Sequence, residues 1–130
     1  MDLVYAVIGL ALLQFFMFGI LVGMKRVKTG VEAPAITGDP VFERYFRVHY
    51  NTMEQLVMFI PAILLFANYV SANVAAGLGL LYIIGRMIYF RLYTTNPAKR
   101  GAGFGLSMLP IMILLLGGLG GSFLAVLNGS

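Results

Sequence analysis

The stretch LVYAVIGLALLQFFMFGILVGM, residues 3–24, contains no charged residue. At 1.5 Å per residue a helix of that length reaches about 33 Å, enough to cross a bilayer core of about 30 Å. The basic cluster Lys25, Arg26, Lys28 closes it. Met1-Asp2-Leu3 supplies no basic n-region, and the apolar run is too long for the h-region of a signal peptide. The segment therefore reads as a retained membrane helix.

Composition extends that reading to the whole chain. Of 130 residues, 60% are hydrophobic and 11% charged, against about a quarter charged in soluble domains. Polar surface on that scale cannot cover a globule in water, so lipid is the natural solvent. The absence of cysteine excludes disulfides, thiolate metal sites and a cysteine nucleophile. His49, the single histidine, is too little for the common metal sites. The net charge of +4 is explained by membrane topology, so no nucleic-acid partner is expected.

Three more spans follow. A polar connection from Thr29 to Gly38 contains the breakers Gly30 and Pro34. Asp39-Pro40 is a helix start, an N-cap acceptor followed by proline at the first helical position. The second helix runs over 40–69, about 45 Å long, so its first turns with Glu43, Arg44 and Arg47 lie at or beyond the headgroups. Pro61 predicts a kink in it. A short turn near Asn68–Asn73 leads to a third helix over about 74–93, ended by Thr94-Thr95-Asn96-Pro97. The fourth covers about 103–127. Its Gly117, Gly118, Gly120 and Gly121, like Gly19 and Gly23 on the first helix, predict close helix approach. No strand precedes these glycines, so they are not a phosphate loop. The fold class is an all-α integral membrane bundle of four transmembrane helices in a single domain, 1–130.

The first and third connections, with the helix ends beside them, hold the nine lysines and arginines. The positive-inside rule places that side in the cytoplasm and both termini on the opposite face.

Polar residues gather in two stripes. Arg47, Asn51 and Glu54 stand at i, i+4 and i+7 on the second helix; Tyr82, Arg86, Tyr89 and Tyr93 stand at i, i+4, i+7 and i+11 on the third. Arg26 ends the first helix and Arg100 opens the fourth. Arg44, Arg91, Lys25, Lys28 and Lys99 read as headgroup anchors. Glu54 and Asn51 lie too deep for that, and an unpaired carboxylate there costs several kcal/mol. Glu54 requires a cationic partner, an arginine of this protein or an amine on a ligand. Arginines gripping carboxylates, a glutamate accepting from an ammonium group, and amide and phenol groups suit a small zwitterionic acid. Glutathione matches that inventory, and a second, lipophilic substrate could enter from the membrane.

Phe42-Glu43-Arg44-Tyr45-Phe46-Arg47-Val48-His49-Tyr50-Asn51-Thr52-Met53-Glu54 resembles the second-helix signature of the MAPEG family, the membrane-associated proteins in eicosanoid and glutathione metabolism. The stretch from Gly79 to Tyr93, then Lys99-Arg100, resembles the third helix and following loop of the microsomal glutathione transferase and leukotriene C4 synthase branch. Pro34-Ala35-Ile36-Thr37-Gly38 resembles the first loop, so the likeness covers about 23–104.

That resemblance implies a homotrimer with glutathione bound between subunits. It assigns glutathione contacts to Arg26, Arg47, His49, Asn51, Glu54, Arg86, Tyr89 and Tyr93, and places Arg100 at the sulfur as the catalytic residue. No metal is implied. A free thiol has a pKa of about 8.5, and lowering it by about two pH units requires roughly 2.7 kcal/mol of thiolate stabilisation, within reach of one guanidinium in a partly desolvated site. The implied activity is conjugation of glutathione to lipophilic electrophiles, or reduction of lipid hydroperoxides. The chain departs from the family at Gln55, where relatives often carry an aromatic, and at Pro61, four residues later than the usual proline. Both departures bear on the second substrate.

A prostaglandin E synthase-like isomerase and a noncatalytic lipid-binding scaffold share the expected fold. A small multidrug transporter would need a carboxylate within the first helix, where only Gln14 stands. The lack of a long charged C-terminal tail suggests a bacterial member, placed in the inner membrane.

Overall fold

The computed structural model describes residues 1–129. Four long helices follow one another, α1 Asp2–Thr29, α2 Pro40–Tyr69, α3 Ala72–Thr95 and α4 Arg100–Leu127, with a single 3₁₀ turn at Pro97–Lys99. All four are long and apolar enough to cross a membrane.

Helix α2 has the predicted bounds because its cap chemistry is explicit. The Asp39 carboxylate accepts from the Val41 and Phe42 amides at 2.9 and 3.0 Å, satisfying two of the donors every helix start leaves open. Helix α1 runs past the predicted end at Met24 to Thr29, where Gly30 caps it in the left-handed region at φ 77°. Lysine and arginine are good helix formers and favour a helix C-terminus, so the basic cluster leaves the lipid without leaving the helix. Helix α3 likewise extends beyond 74–93 at both ends. Ser71 caps its start through the Val74 amide at 3.1 Å, and the Thr94 and Thr95 hydroxyls bond back to the Phe90 and Arg91 carbonyls. Helix α4 starts at Arg100 instead of 103, since the 3₁₀ turn needs only Pro97–Lys99 to reverse the chain. Both α2 and α4 stay helical through Pro61 and Pro110.

The glycines divide into those that touch and those that do not. A Cβ at Gly117, Gly118 or Gly121 would stand 2.6, 2.7 or 2.9 Å from Phe66, Leu65 or Tyr69, so α4 lies directly on the end of α2. At the other end Gly85 meets the Leu106 and Ser107 backbone, and Gly103 meets that of Tyr89, so α3 and α4 pack almost backbone on backbone. Gly23 and Gly120 have open space instead of the predicted neighbour, and Gly19 meets the imidazole of His49. Between these seams the core is apolar, centred on Phe59, Ile63, Ile111 and Leu114, with the Phe59 and Tyr82 rings stacked at 4.0 Å.

Candidate functional site

Arg86 stands apart from the other basic residues. It lies roughly 13 Å inside the end of α3 and is fully buried, at 0% exposure. Its Nη1 donates to Asn51 Oδ1 at 2.9 Å and to Thr52 Oγ1 at 3.2 Å, and its Nη2 donates to Ser107 Oγ at 3.0 Å. The two hydroxyls donate onward to the Val48 and Phe104 carbonyls. One guanidinium thus ties α3 to α2 and α4, and Gly85 beside it gives α4 the room to come close. All three partners are neutral, and among the described residues Nε has none. An arginine in lipid-buried surroundings is costly without an anion, so the clasp orients the charge without neutralising it.

From Arg86 a row of cations and rings leads to the basic end. The guanidinium lies 4.3 Å from the Tyr89 ring centroid, Tyr89 is 5.4 Å from Tyr93, and the Arg100 guanidinium is 5.7 Å from Tyr93. Arg100 is exposed and held by its Nη1 donating to the Pro97 carbonyl at 2.7 Å. The protomer therefore brings together Asn51, Arg86, Tyr89, Tyr93 and Arg100.

The remaining candidates lie elsewhere. Arg47 and Glu54 share the α2 stripe but are exposed on the outer surface, so Arg86 takes amide and hydroxyl partners where the carboxylate was a possible one. Arg26 closes the first loop, donating to the Ala35 carbonyl at 2.7 Å and the Val31 carbonyl at 3.3 Å with its guanidinium 4.6 Å from the Phe42 ring. His49 turns to α1, stacked on Phe15 at 4.4 Å, and lines a groove of about 460 Å³ with Leu12, Phe16 and Ile20. It points away from the side on which Asn51 meets Arg86.

Thr52 and Ser107 are site residues that the sequence reading passed over. A signal for Ser107 was present: it is the sole polar side chain between Gly103 and Gly121. Deeper in the bundle, the buried Gln55 amide and the Tyr82 hydroxyl have no partner among the described residues. Gln14 donates to the Ile83 carbonyl at 2.9 Å.

Four apolar helices around a buried, clasped arginine define a polytopic membrane protein. The MAPEG family profile matches residues 3–120, and the chain belongs to that family as an integral, multi-pass membrane protein. It is 44% identical over 111 residues to an uncharacterized protein of Synechocystis, covering 85% of this chain and 81% of that one. It is 41% identical over 119 residues to human microsomal glutathione S-transferase 2, covering 91% and 81%. Bovine leukotriene C4 synthase is 27% identical over 108 residues, covering 83% and 71%.

Proposed function

We propose that this chain is a membrane-bound glutathione transferase, working as a homotrimer with glutathione held between neighbouring subunits. The observation that carries the reading is the pairing of a buried, un-neutralised Arg86 with an Arg47 and a Glu54 left bare on the outer helix surface. A carboxylate facing lipid is costly; a subunit boundary holding a zwitterionic ligand removes that cost. Glu54 then accepts from the ligand ammonium and Arg47 takes a carboxylate bidentately, with Arg26 supplied by the neighbouring subunit. Asn51, which is part-exposed and held in place by the buried Arg86, faces the peptide portion, with Tyr89 and Tyr93 beside it.

Arg100 is exposed at the mouth of the same row. There it stabilises the thiolate as a fixed cation, since an arginine does not act as a base at neutral pH. The thiol proton leaves to water. The sulfur lone pair forms a carbon–sulfur bond to the lipophilic electrophile, and the displaced group departs with its electron pair or an epoxide oxygen takes a proton. Hydroperoxide reduction uses the same thiolate: sulfur attacks the terminal peroxide oxygen, the alcohol leaves, and a second glutathione closes the disulfide with loss of water. His49, on the α1 side, takes the polar ligand edge only if a neighbouring subunit brings it there. The basic face is assigned to the cytoplasm, and the membrane to the bacterial inner membrane.

Calorimetric titration of the detergent-solubilised protein with glutathione, followed by turnover on an aryl halide, a lipid hydroperoxide and an allylic epoxide, tests the reading. Binding with turnover on at least one supports it. Binding without turnover, or no binding, favours the lipid-binding scaffold.

A further inference from the structure

A second groove lies on the flank where α1 meets α3, away from the Arg86 clasp. It encloses about 330 Å³ and is almost wholly apolar. Gln14, Phe18 and Ile83 form its floor, with the Gln14 amide bonded to the Ile83 carbonyl and so tying the two helices together beneath it. Leu10, Leu13, Met17 and Met87 form its rim, each between 48% and 56% exposed. From Leu10 to Leu21 the groove runs for roughly 16 Å along α1. That is close to the depth of one leaflet, half of a core about 30 Å thick.

The charges at its end point to the occupant. Leu10, Gln14, Met17 and Leu21 make one stripe of α1, and Lys25 and Lys28 continue it by one and two further turns. On α3, Arg91 stands one turn beyond Met87. Lys28 and Arg91 are exposed, while Lys25 lies 5.0 Å from the Tyr45 ring. An apolar slot about one leaflet deep, with cations beyond its end on both of its walls, complements an anionic lipid. We propose that the α1–α3 groove binds an anionic glycerophospholipid from the leaflet on the basic side, an acyl chain lying over Gln14 and the phosphate meeting Lys28 and Arg91. This site is independent of the reaction proposed above.

The chain contains no tryptophan, so Leu13→Trp, or Met87→Trp should the first fail to fold, places a single indole on the rim. The protein is reconstituted into phosphatidylcholine vesicles containing, at equal mole fraction, phosphatidylglycerol or phosphatidylcholine with brominated acyl chains. Quenching is expected to favour phosphatidylglycerol by about fivefold or more, the worth of one Lys or Arg at a headgroup. The preference is expected to vanish in the Lys28→Gln/Arg91→Gln background. Equal quenching by the two lipids overturns the proposal, as does a preference that survives neutralisation. Quenching by neither lipid also overturns it.

Discussion

The seam between α3 and α4 and the flank of α1 are built on opposite principles. Along the seam, Gly85 and Gly103 let backbones meet, and Arg86 is fastened across it to Ser107. Along α1, Gly23 has no neighbour, one side-chain bond from Gln14 crosses to α3, and grooves open towards both α2 and α3. In lipid the hydrophobic effect does not press helices together; close packing and interhelical hydrogen bonds do. The seam has both along its length; the flank has one such bond and packs closely at Gly79, against Val7, and at Gly19, against His49, with grooves between these contacts. The seam therefore fixes the position of the buried cation, and the flank leaves grooves open at the surface of the protomer.

The contrast is most exposed to failure at Gly85. Gly85→Leu should force α4 off the seam and cost about 3 kcal/mol, read as loss of the folded fraction in detergent titrations. A mild effect there would show that the seam yields and is not the rigid half. Arg86→Leu removes three interhelical bonds, at about 0.6–1.7 kcal/mol each in membranes. It should lower stability by about 2 kcal/mol and abolish glutathione binding. Retained binding would remove Arg86 from the proposed site.

Substitutions away from the seam should separate function from stability. Glu54→Gln is expected to leave thermal unfolding unchanged while weakening glutathione about tenfold, or about 1.4 kcal/mol. Unaltered affinity by calorimetry would sink its role as ammonium acceptor. Arg100→Ala should keep most of the affinity and lose the ultraviolet absorbance of bound thiolate; persistence of that signal would reassign the sulfur contact. The smallest effect belongs to Gly120→Ala, expected within about 0.5 kcal/mol of the parent because its Cβ meets open space. A large loss would reveal a neighbour that the protomer alone does not contain.

The four helices and the bounds of α2 could be read in the sequence because hydropathy and the Asp39-Pro40 cap are local signals. Helix ends at Thr29, Thr95 and Arg100 could not, since hydropathy marks where lipid stops and a basic or threonine-rich turn continues the helix in water. Spacing placed Arg47, Asn51 and Glu54 on one stripe. It could not divide them into an inward amide and outward charges, because that depends on where α3 and α4 sit around α2. Arg86 was legible as the charged member of the polar stripe on the third helix. Its partners Thr52 and Ser107 were not, as each is a lone hydroxyl whose meaning appears only across a helix interface.

The row from Arg86 through Tyr89 and Tyr93 to Arg100 also has an optical consequence. With no tryptophan in the chain, the near-ultraviolet circular dichroism and emission belong chiefly to tyrosine. Two of the seven tyrosines stand between guanidinium groups, their rings 5.4 Å apart and held in an asymmetric field. An anion arriving at the exposed Arg100 alters that field at the chromophores themselves. Under the proposed function, the unlabelled protein thus carries its own spectroscopic reporter of occupancy, its signal coming from side chains assigned there to the ligand.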